Sequence, residues 1–486
     1  YVQLRERVDK LAQGLKEIGI NQNDKIAVIH RNCHRFLEIY FAAAKIGAIL
    51  VPINYRLIPY DYIYILNDSQ VSVLMAQSNL IHPFLPRKGD FPGLKKIILT
   101  DSEESVRMRE DYYNYESMLG KASIKEGHAL SAGNADIAQI YYTSGTTGKP
   151  KGVILTHRNN RKHAEGTVEE LGLSSSDRWL HVSPMFHLAD AWAVWAITGV
   201  GATHVLIPEF EPKLVLTTVE KHKVTLSNFI PTMLNHLVNY PGVEQYDFSS
   251  LRVILSGGAS IAKKVIREVL RIFACDYIQT YGLTETSPFL TMSILKDEMK
   301  DLPFEERLRY MATTGRPFYA VDLKVVKGDG NEVTPDENDV GEIAARGETI
   351  TPGYWHLPEE TSKRIVNGWL YTRDLAVVNS EGYLTIVDRK DDVIITGGEN
   401  VYSIQVENVL YSHPSVLEAA VIGLPDPIWG EKITVVVVAK KGMELSEEDV
   451  IGFCRENLAQ FKVPKKVIFI DHLPKTGSAK IFKYKL

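Results

Sequence analysis

The chain is 486 residues long, 45% hydrophobic and 24% charged, with 55 Lys and Arg against 60 Asp and Glu for a net charge of −5 and a mean hydropathy of −0.10. At about 150 residues per domain this is roughly three domains' worth of chain, enough to close a sizeable core without staples. The weak acidity excludes a protein that wraps nucleic acid or lies on an anionic membrane by bulk charge. The three cysteines, Cys33, Cys275 and Cys454, are too scattered for a disulfide framework or a zinc site, so a reducing, cytoplasmic compartment is expected.

Near the start, Leu4, Val8, Leu11, Ala12, Leu15 and Ile18 recur at helical spacing, which predicts an amphipathic helix. KIAVI (25–29) reads as a short strand and HRFLEIYFAAAKIG (34–47) as a second helix. The stretch 191–208 contains no Asp, Glu, Lys or Arg, but Gly199, Gly201, Thr203 and His204 interrupt it. It reads as a buried helix, a glycine turn and a core strand rather than a membrane span. VTLSNFI (224–230) and RVILS (252–256) are strand-like, and IAKKVIREVLRIF (261–273) is an amphipathic helix. The alternation predicts α/β layers with largely parallel sheets.

After Tyr319 the texture changes to short strands separated by Gly, Asp, Asn and Pro, the pattern of a β-rich subdomain with tight turns. The charge cluster DRKDD (388–392) follows, and beyond it the chain reads β, α, β, β, α, β with a lysine-rich tail. A hinge is placed there, between a body at 1–388 and a small C-terminal unit at 392–486, with 389–391 as the linker.

One segment carries chemistry on its own terms. YYTSGTTGKPKGV (141–153) follows the strand-like IAQIYYT (137–143) and precedes a polar stretch whose Thr156 is placed to cap a helix. The hydroxyls of Thr143, Ser144, Thr146 and Thr147, the permissive Gly145 and Gly148, and the cations Lys149 and Lys151 form a cradle suited to a polyphosphate. It is not a Walker A sequence: only two residues separate the glycines, and Pro150 follows Lys149.

TSGTTGKPKG resembles the phosphate loop of the adenylate-forming superfamily, which includes acyl-CoA synthetases, peptide-synthetase adenylation domains and luciferase-type enzymes. YGLTET (281–286), the run GWLYTRDLAVVNSEGYLTIVDRKDDVIITGGENVYSIQVE (368–407), HPSVLEAAVIGLPDPIWGE (413–431) and PKTGSAKI (474–481) resemble further superfamily strings, in superfamily order. The resemblance implies an α/β protein whose large multi-sheet N-terminal body, two α/β sheet subdomains plus a β-rich one, carries a small mobile α+β C-terminal domain.

It also implies a reaction: a carboxylic acid reacts with ATP to give acyl-adenylate and pyrophosphate, and the thiol of coenzyme A then takes the acyl group, leaving AMP. Tyr281 would stack on adenine, Thr284 would contact the α-phosphate, and Glu285 would hold Mg²⁺. Gly257, Gly258 and Ala259 would let nucleotide lie against backbone at a strand end. Asp374 would take the ribose hydroxyls and Arg389 the ribose or phosphate, while Asp391 would be the hinge residue. Lys480 would reach the carboxylate and α-phosphate during adenylation, and the loop of Gly397, Gly398, Glu399 and Asn400 would meet the pantetheine after the small domain rotates. His187, in SPMFHLAD, matches the mouth of the acyl pocket; Trp192, Trp195 and residues 228–233 would line an apolar tunnel or belong to the core.

LPFEERLRYMATTGRP (302–317) looks like a segment of medium- and long-chain fatty-acid CoA ligases, so a fatty acid is the expected substrate and a homodimer an expected assembly. The alternatives are an aryl, branched or short-chain acid, or a nucleotide-binding relative without turnover. Two positions depart from the superfamily pattern, Arg373 before the ribose aspartate and Ala479 before the C-terminal lysine, where glycine is usual. If position 373 needs a positive φ, an arginine there is strained.

Overall fold

A computed structural model describes residues 1–82, 89–101, 111–123, 132–143, 149–259, 261–475 and 481–486. Among them lie two seven-stranded sheets and two five-stranded sheets, and the mixed α/β architecture expected from the sequence is present.

The first sheet runs, edge to edge, Tyr112–Asn114, Lys96–Leu99, Val73–Ala76, Lys25–Ile29, Ile49–Pro52, Ile137–Thr143 and Lys151–Thr156. Its strands are parallel up to Ile137–Thr143, which pairs antiparallel with Lys151–Thr156. Four of the five residues of Lys25–Ile29 are buried, as expected of a central parallel strand covered on both faces. Helix Val2–Glu17 buries Val8, Leu11, Ala12 and Leu15, the stripe its spacing predicts, in a cluster shared with helix His34–Ile46. On the other side, Thr156 caps helix His157–Leu171: its hydroxyl accepts from Asn159 N while the Asn159 side chain accepts from Thr156 N. This reciprocal cap fixes where the strand leaving the phosphate loop ends.

The second sheet runs Arg316–Pro317, Phe289–Met292, Asp276–Gly282, Val253–Gly257, Leu226–Phe229, Arg178–His181 and Thr203–Leu206. Its central strands are parallel, so Val253–Gly257 and Asp276–Gly282 end on one edge of the sheet, the carboxyl edge on which open α/β sheets bind ligands. Thr203–Leu206, expected as a core strand, is an edge strand with an exposed to half-buried pattern. Trp192 is 1% exposed and packs with Trp179, centroids 4.8 Å apart, Phe289 and His163. It is core, not a tunnel wall. His163 sits in this aromatic box, where burial pushes its pKa down to about 3.

The third sheet is antiparallel: Val321–Val326, Gly341–Gly347, Trp369–Val378 and Ile365–Val366, with Leu384–Arg389 on the far side of Trp369–Val378. The fourth holds Glu399–Val401, Ile394–Thr396, Gly430–Ala439 and Val416–Asp426, with Lys466–Phe469 parallel to Gly430–Ala439. Helices Ser403–Ser412 and Glu447–Asn457 contribute Val406, Leu410, Val450 and Cys454 to its core. The first strand expected after 388 is thus a hairpin. Thr396 pairs with Glu399, and Gly397 and Gly398 between them have φ of +60° and +87°, the backbone of a type I′ turn that glycine adopts without steric cost. Glu399 and Asn400 belong to a strand rather than to a loop.

Residues 390–393 carry the chain from Arg389, the end of the third sheet, to Ile394, the start of the fourth. Asp388 bridges this passage. It is 1% exposed, accepts 3.0 Å from Ser403 Oγ and accepts from Ser403 N at the start of helix Ser403–Ser412. No helix among the described residues is long and apolar enough to cross a membrane.

Candidate active site

The phosphate-loop residues Ser144, Gly145, Thr146, Thr147 and Gly148 lie outside the described residues, as does Lys480; the residues that frame the loop are described. Thr143 ends one strand and pairs in register with Lys151 at the start of the next, so the loop closes an antiparallel hairpin at the edge of the first sheet. Lys149 places its ammonium 5.9 Å from the Tyr64 ring centre. Lys151 is committed to an ion pair, with Nζ 2.6 Å from Glu360 Oε1, and that contact holds the Glu360 carboxyl below its usual range.

At the carboxyl edge of the second sheet, Gly257 ends its strand with no room for a side chain: a Cβ there would stand 2.9 Å from Thr280 O. Gly258 follows with φ +88°, and the Ala259 carbonyl accepts 3.2 Å from Gln279 Nε2. One strand along, Tyr281 donates 2.7 Å to Asp374 Oδ2. Burial and the neighbouring carboxylate keep that phenol protonated, far above its ordinary pKa. The other oxygen of Asp374, Oδ1, accepts 3.2 Å from Arg389 Nε. Asp374, 5% exposed, is further set by its own N–H, which donates 3.1 Å to Thr372 Oγ1. The fold therefore gathers Tyr281, Asp374 and Arg389, more than a hundred residues apart at the extremes, into one hydrogen-bonded group.

Thr284 and Glu285 occupy a short 3-10 turn, Thr284–Thr286, just beyond Tyr281. Glu285 is 9% exposed, and Tyr354 Oη donates 2.8 Å to its Oε1. Among the described residues no group of three or more His, Cys, Asp or Glu could hold a metal ion. A single buried carboxylate with one oxygen oriented by a phenol, and with no side-chain partner for the other among the described residues, suits Mg²⁺, which binds with one or two carboxylates plus phosphate oxygens and water.

Tyr354 is a residue that the sequence reading missed, and it belongs to a segment that joins the two sheets. Residue 349 accepts 2.6 Å from Ser287 Oγ through its carbonyl, and Thr351 N donates 2.8 Å to Glu285 O. Thr351 Oγ1 donates 2.6 Å to Ile154 O, and Trp355 N donates 2.7 Å to Gly152 O. The strand leaving the phosphate loop is thereby tied to the turn carrying Glu285. The available signal was PGYW (352–355), a Pro-Gly breaker with two aromatics inside a polar, turn-rich region.

The remaining positions lie elsewhere. His187 caps the short helix Leu188–Ala191, its Nδ1 accepting 3.1 Å from Ala189 N. Gly397, Gly398 and Glu399 are on the fourth sheet, where Gly397 N donates 2.8 Å to Trp429 O. Asp391 takes a two-pronged contact from Arg373, whose Nε donates 2.9 Å to Asp391 Oδ2; that pairing lowers the Asp391 pKa. Arg373 itself has φ +66°, the strained backbone foreseen for a non-glycine residue at this place. The segment 302–317 folds as helix Phe304–Met311, whose Leu308 and Met311 pack into the core cluster of Ile266 and Phe273.

Residues 1–355 match the family described as AMP-binding enzyme, and residues 405–480 match the AMP-binding enzyme C-terminal domain. Similar chains include a feruloyl-CoA synthase of Amycolatopsis sp, 35% identical over 484 residues, with 99% of this chain and 92% of the relative covered. A 2-succinylbenzoate–CoA ligase of Bacillus cereus is 34% identical over 486 residues, covering 100% of this chain and 92% of that one. Among solved structures, the anthranilate CoA ligase AuaEII in complex with anthranoyl-AMP superposes with a TM-score of 0.88 at 27% identity, covering 99% of this chain and 90% of the other.

Proposed function

We propose a mechanism and a substrate class from one premise: the chain belongs to the AMP-binding enzymes of the adenylate-forming superfamily and is an AMP-forming acid–thiol ligase. Enzymes of this family use ATP with Mg²⁺ and coenzyme A. A carboxylic acid is ionised at neutral pH, so its attack on the α-phosphorus needs no general base. What it needs is relief of repulsion between a carboxylate and a polyanion, which preorganised donors and cations supply.

The roles are those the resemblance implies, and the geometry above is compatible with them. Tyr281 presents its ring to adenine, and Asp374 exchanges its bonds to Tyr281 and Arg389 for bonds to the ribose hydroxyls. Gly257, Gly258 and Ala259 leave room for nucleotide at the strand ends, and Thr284 donates to the α-phosphate. Mg²⁺, when bound, would neutralise phosphate charge, held by Glu285 with Tyr354 orienting the carboxylate. With Lys151 already paired to Glu360, the positive potential over the phosphates falls to Lys149, the loop 144–148 and Lys480. For the second step the unit 392–486 turns about Asp391, withdrawing Lys480 and bringing the Gly397–Gly398 turn toward the thiol of CoA.

The substrate is an aryl-bearing carboxylic acid, with His187 at the mouth of its pocket. One observation carries this: relatives at about one-third identity over nearly the whole chain are named for feruloyl and 2-succinylbenzoate substrates. The segment that suggested a fatty acid, 302–317, holds helix Phe304–Met311, whose Leu308 and Met311 are buried in the core cluster of the second sheet. Pyrophosphate release over a panel of aryl, short hydroxy and medium- to long-chain fatty acids, with and without CoA, tests the reading. An aryl acid is expected to lead by about tenfold or more in kcat/KM. A leading fatty acid would return the alkyl reading, and no release with any acid would leave a nucleotide-binding protein without turnover.

A further inference from the structure

Arg373 stands in the left-handed region at φ +66°, a conformation that costs any residue with a Cβ. The folded chain spends three contacts on holding it there. Its N–H donates 3.0 Å to Glu342 Oε1, its carbonyl accepts 2.8 Å from Lys390 N, and its guanidinium grips both oxygens of Asp391. The fork is the geometry that matches a guanidinium to a carboxylate and gives the contact its direction.

The contact is one of a set. Arg389, Lys390 and Asp391 are consecutive charges at the passage between the third and fourth sheets, and each meets an opposite charge on the third. Arg389 pairs with Asp374 at 3.2 Å, Lys390 with Glu342 at 3.0 Å, and Asp391 with Arg373. Arg373 and Asp374 are neighbours on strand Trp369–Val378, so the carboxylate assigned to ribose and the partner of the hinge residue are adjacent on one backbone. Both side chains of the Arg373 pair are a little under half exposed, at 44% and 43%. A pair that wet is weak and screened by salt, and so suited to opening and closing.

We propose that Arg373 is a positioning residue, an electrostatic staple that couples the ribose-site strand to the orientation of the small unit by holding Asp391 until that unit turns. The inference rests on the two-step reading above and deepens it. A glycine would remove strain and staple together; the arginine retains the strain and adds a charge whose bonded partner is the linker residue Asp391. Turning about Asp391 requires the fork to open, whereas adenylation proceeds with it closed.

The two half-reactions separate the effects. Acid-dependent exchange of pyrophosphate into ATP reports adenylation, and single-turnover thioester formation from supplied acyl-adenylate and CoA reports the turned state. In the native enzyme the ratio of thioester rate to exchange rate should rise as salt is raised from about 0.1 to about 1 M, where the Debye length falls from about 10 to about 3 Å. In Arg373→Gly the ratio should already be raised at low salt by up to about fivefold, the factor corresponding to about 1 kcal/mol, and should respond less to salt. The exchanged pair, Arg373→Asp with Asp391→Arg, should move the ratio back toward the native value relative to either single change. Both half-reactions changing by one common factor, or Arg373→Gly keeping the native salt response of the ratio, would overturn the staple. Absence of pyrophosphate exchange in the native protein would instead overturn the ligase reading itself, so the two failures are distinct.

Discussion

Tyr354 shows how one hydroxyl decides what a neighbouring carboxylate can do. Its 2.8 Å bond to Glu285 fixes one oxygen and with it the direction of the other. Tyr354→Phe keeps the ring, 6% exposed and part of the first core cluster, and removes only the donor. The Mg²⁺ concentration for half-maximal adenylation is expected to rise by about tenfold, the usual cost of losing an outer-shell partner, with little change in Tm; a titration of pyrophosphate release against Mg²⁺ checks it. This residue was not legible in the sequence, because the partner of Glu285 arrives from 69 positions away on a segment with no periodicity. Arg373 was legible as an oddity: a departure from glycine announces a backbone conflict. What resolves the conflict, the fork to Asp391, needed the register of strands Trp369–Val378 and Leu384–Arg389, in which Asp374 faces Arg389.

Strongly patterned helices and strands carry their limits in their own sequence, whereas their surroundings depend on residues far along the chain. The strands Lys25–Ile29 and Ile137–Thr143 coincide with the runs read from sequence, because hydrophobic runs bounded by polar residues carry their own limits. Thr203–Leu206 is a strand, as its composition predicts, but it lies at the sheet's edge rather than in the core, since apolar composition does not say whether a strand has one neighbour or two. The paired Gly397 and Gly398 are a turn signal, and the structure makes them the turn of a hairpin where the motif implies a loop. At the start of helix Ser403–Ser412, Asp388 adds a dependence on pH. Burial pushes this carboxyl up to about 6 against the attraction of Lys483, itself bonded to Ser403 Oγ and Glu407. The folded protein then keeps a proton that the unfolded chain gives up between about pH 4 and 6, so stability falls as pH rises through that window. Asp388→Asn should abolish this contribution, on the order of 3 kcal/mol. In thermal melts the difference in Tm between the two proteins should drift between about pH 4 and 6 and hold level above about 7.

For the molecule as a whole, the division proposed is a body at 1–388, a linker at 389–391 and a small unit at 392–486, with one lysine reaching back across it. Lys480→Ala is expected to suppress acyl-adenylate formation by about 10² to 10³ while sparing thioester formation from supplied acyl-adenylate. Equal loss in both half-reactions would remove Lys480 from the first step. The net charge of −5 is no obstacle to a polyanionic substrate, because the cations that matter are placed locally.

The cross-tie at 349–355 also has a temporal side. Strand Lys151–Thr156 ends the first sheet, and its outer edge is covered by Gly353 and Trp355 through bonds to Ile154 and Gly152. A growing chain therefore carries an uncovered strand edge for about two hundred residues of synthesis, roughly ten to forty seconds at ordinary ribosomal speeds, until that segment emerges. Bare edges of this kind are where newly made chains pair with one another. The interval between residues 151 and 355 is thus a stretch of translation over which a chaperone that covers strand edges would serve this protein.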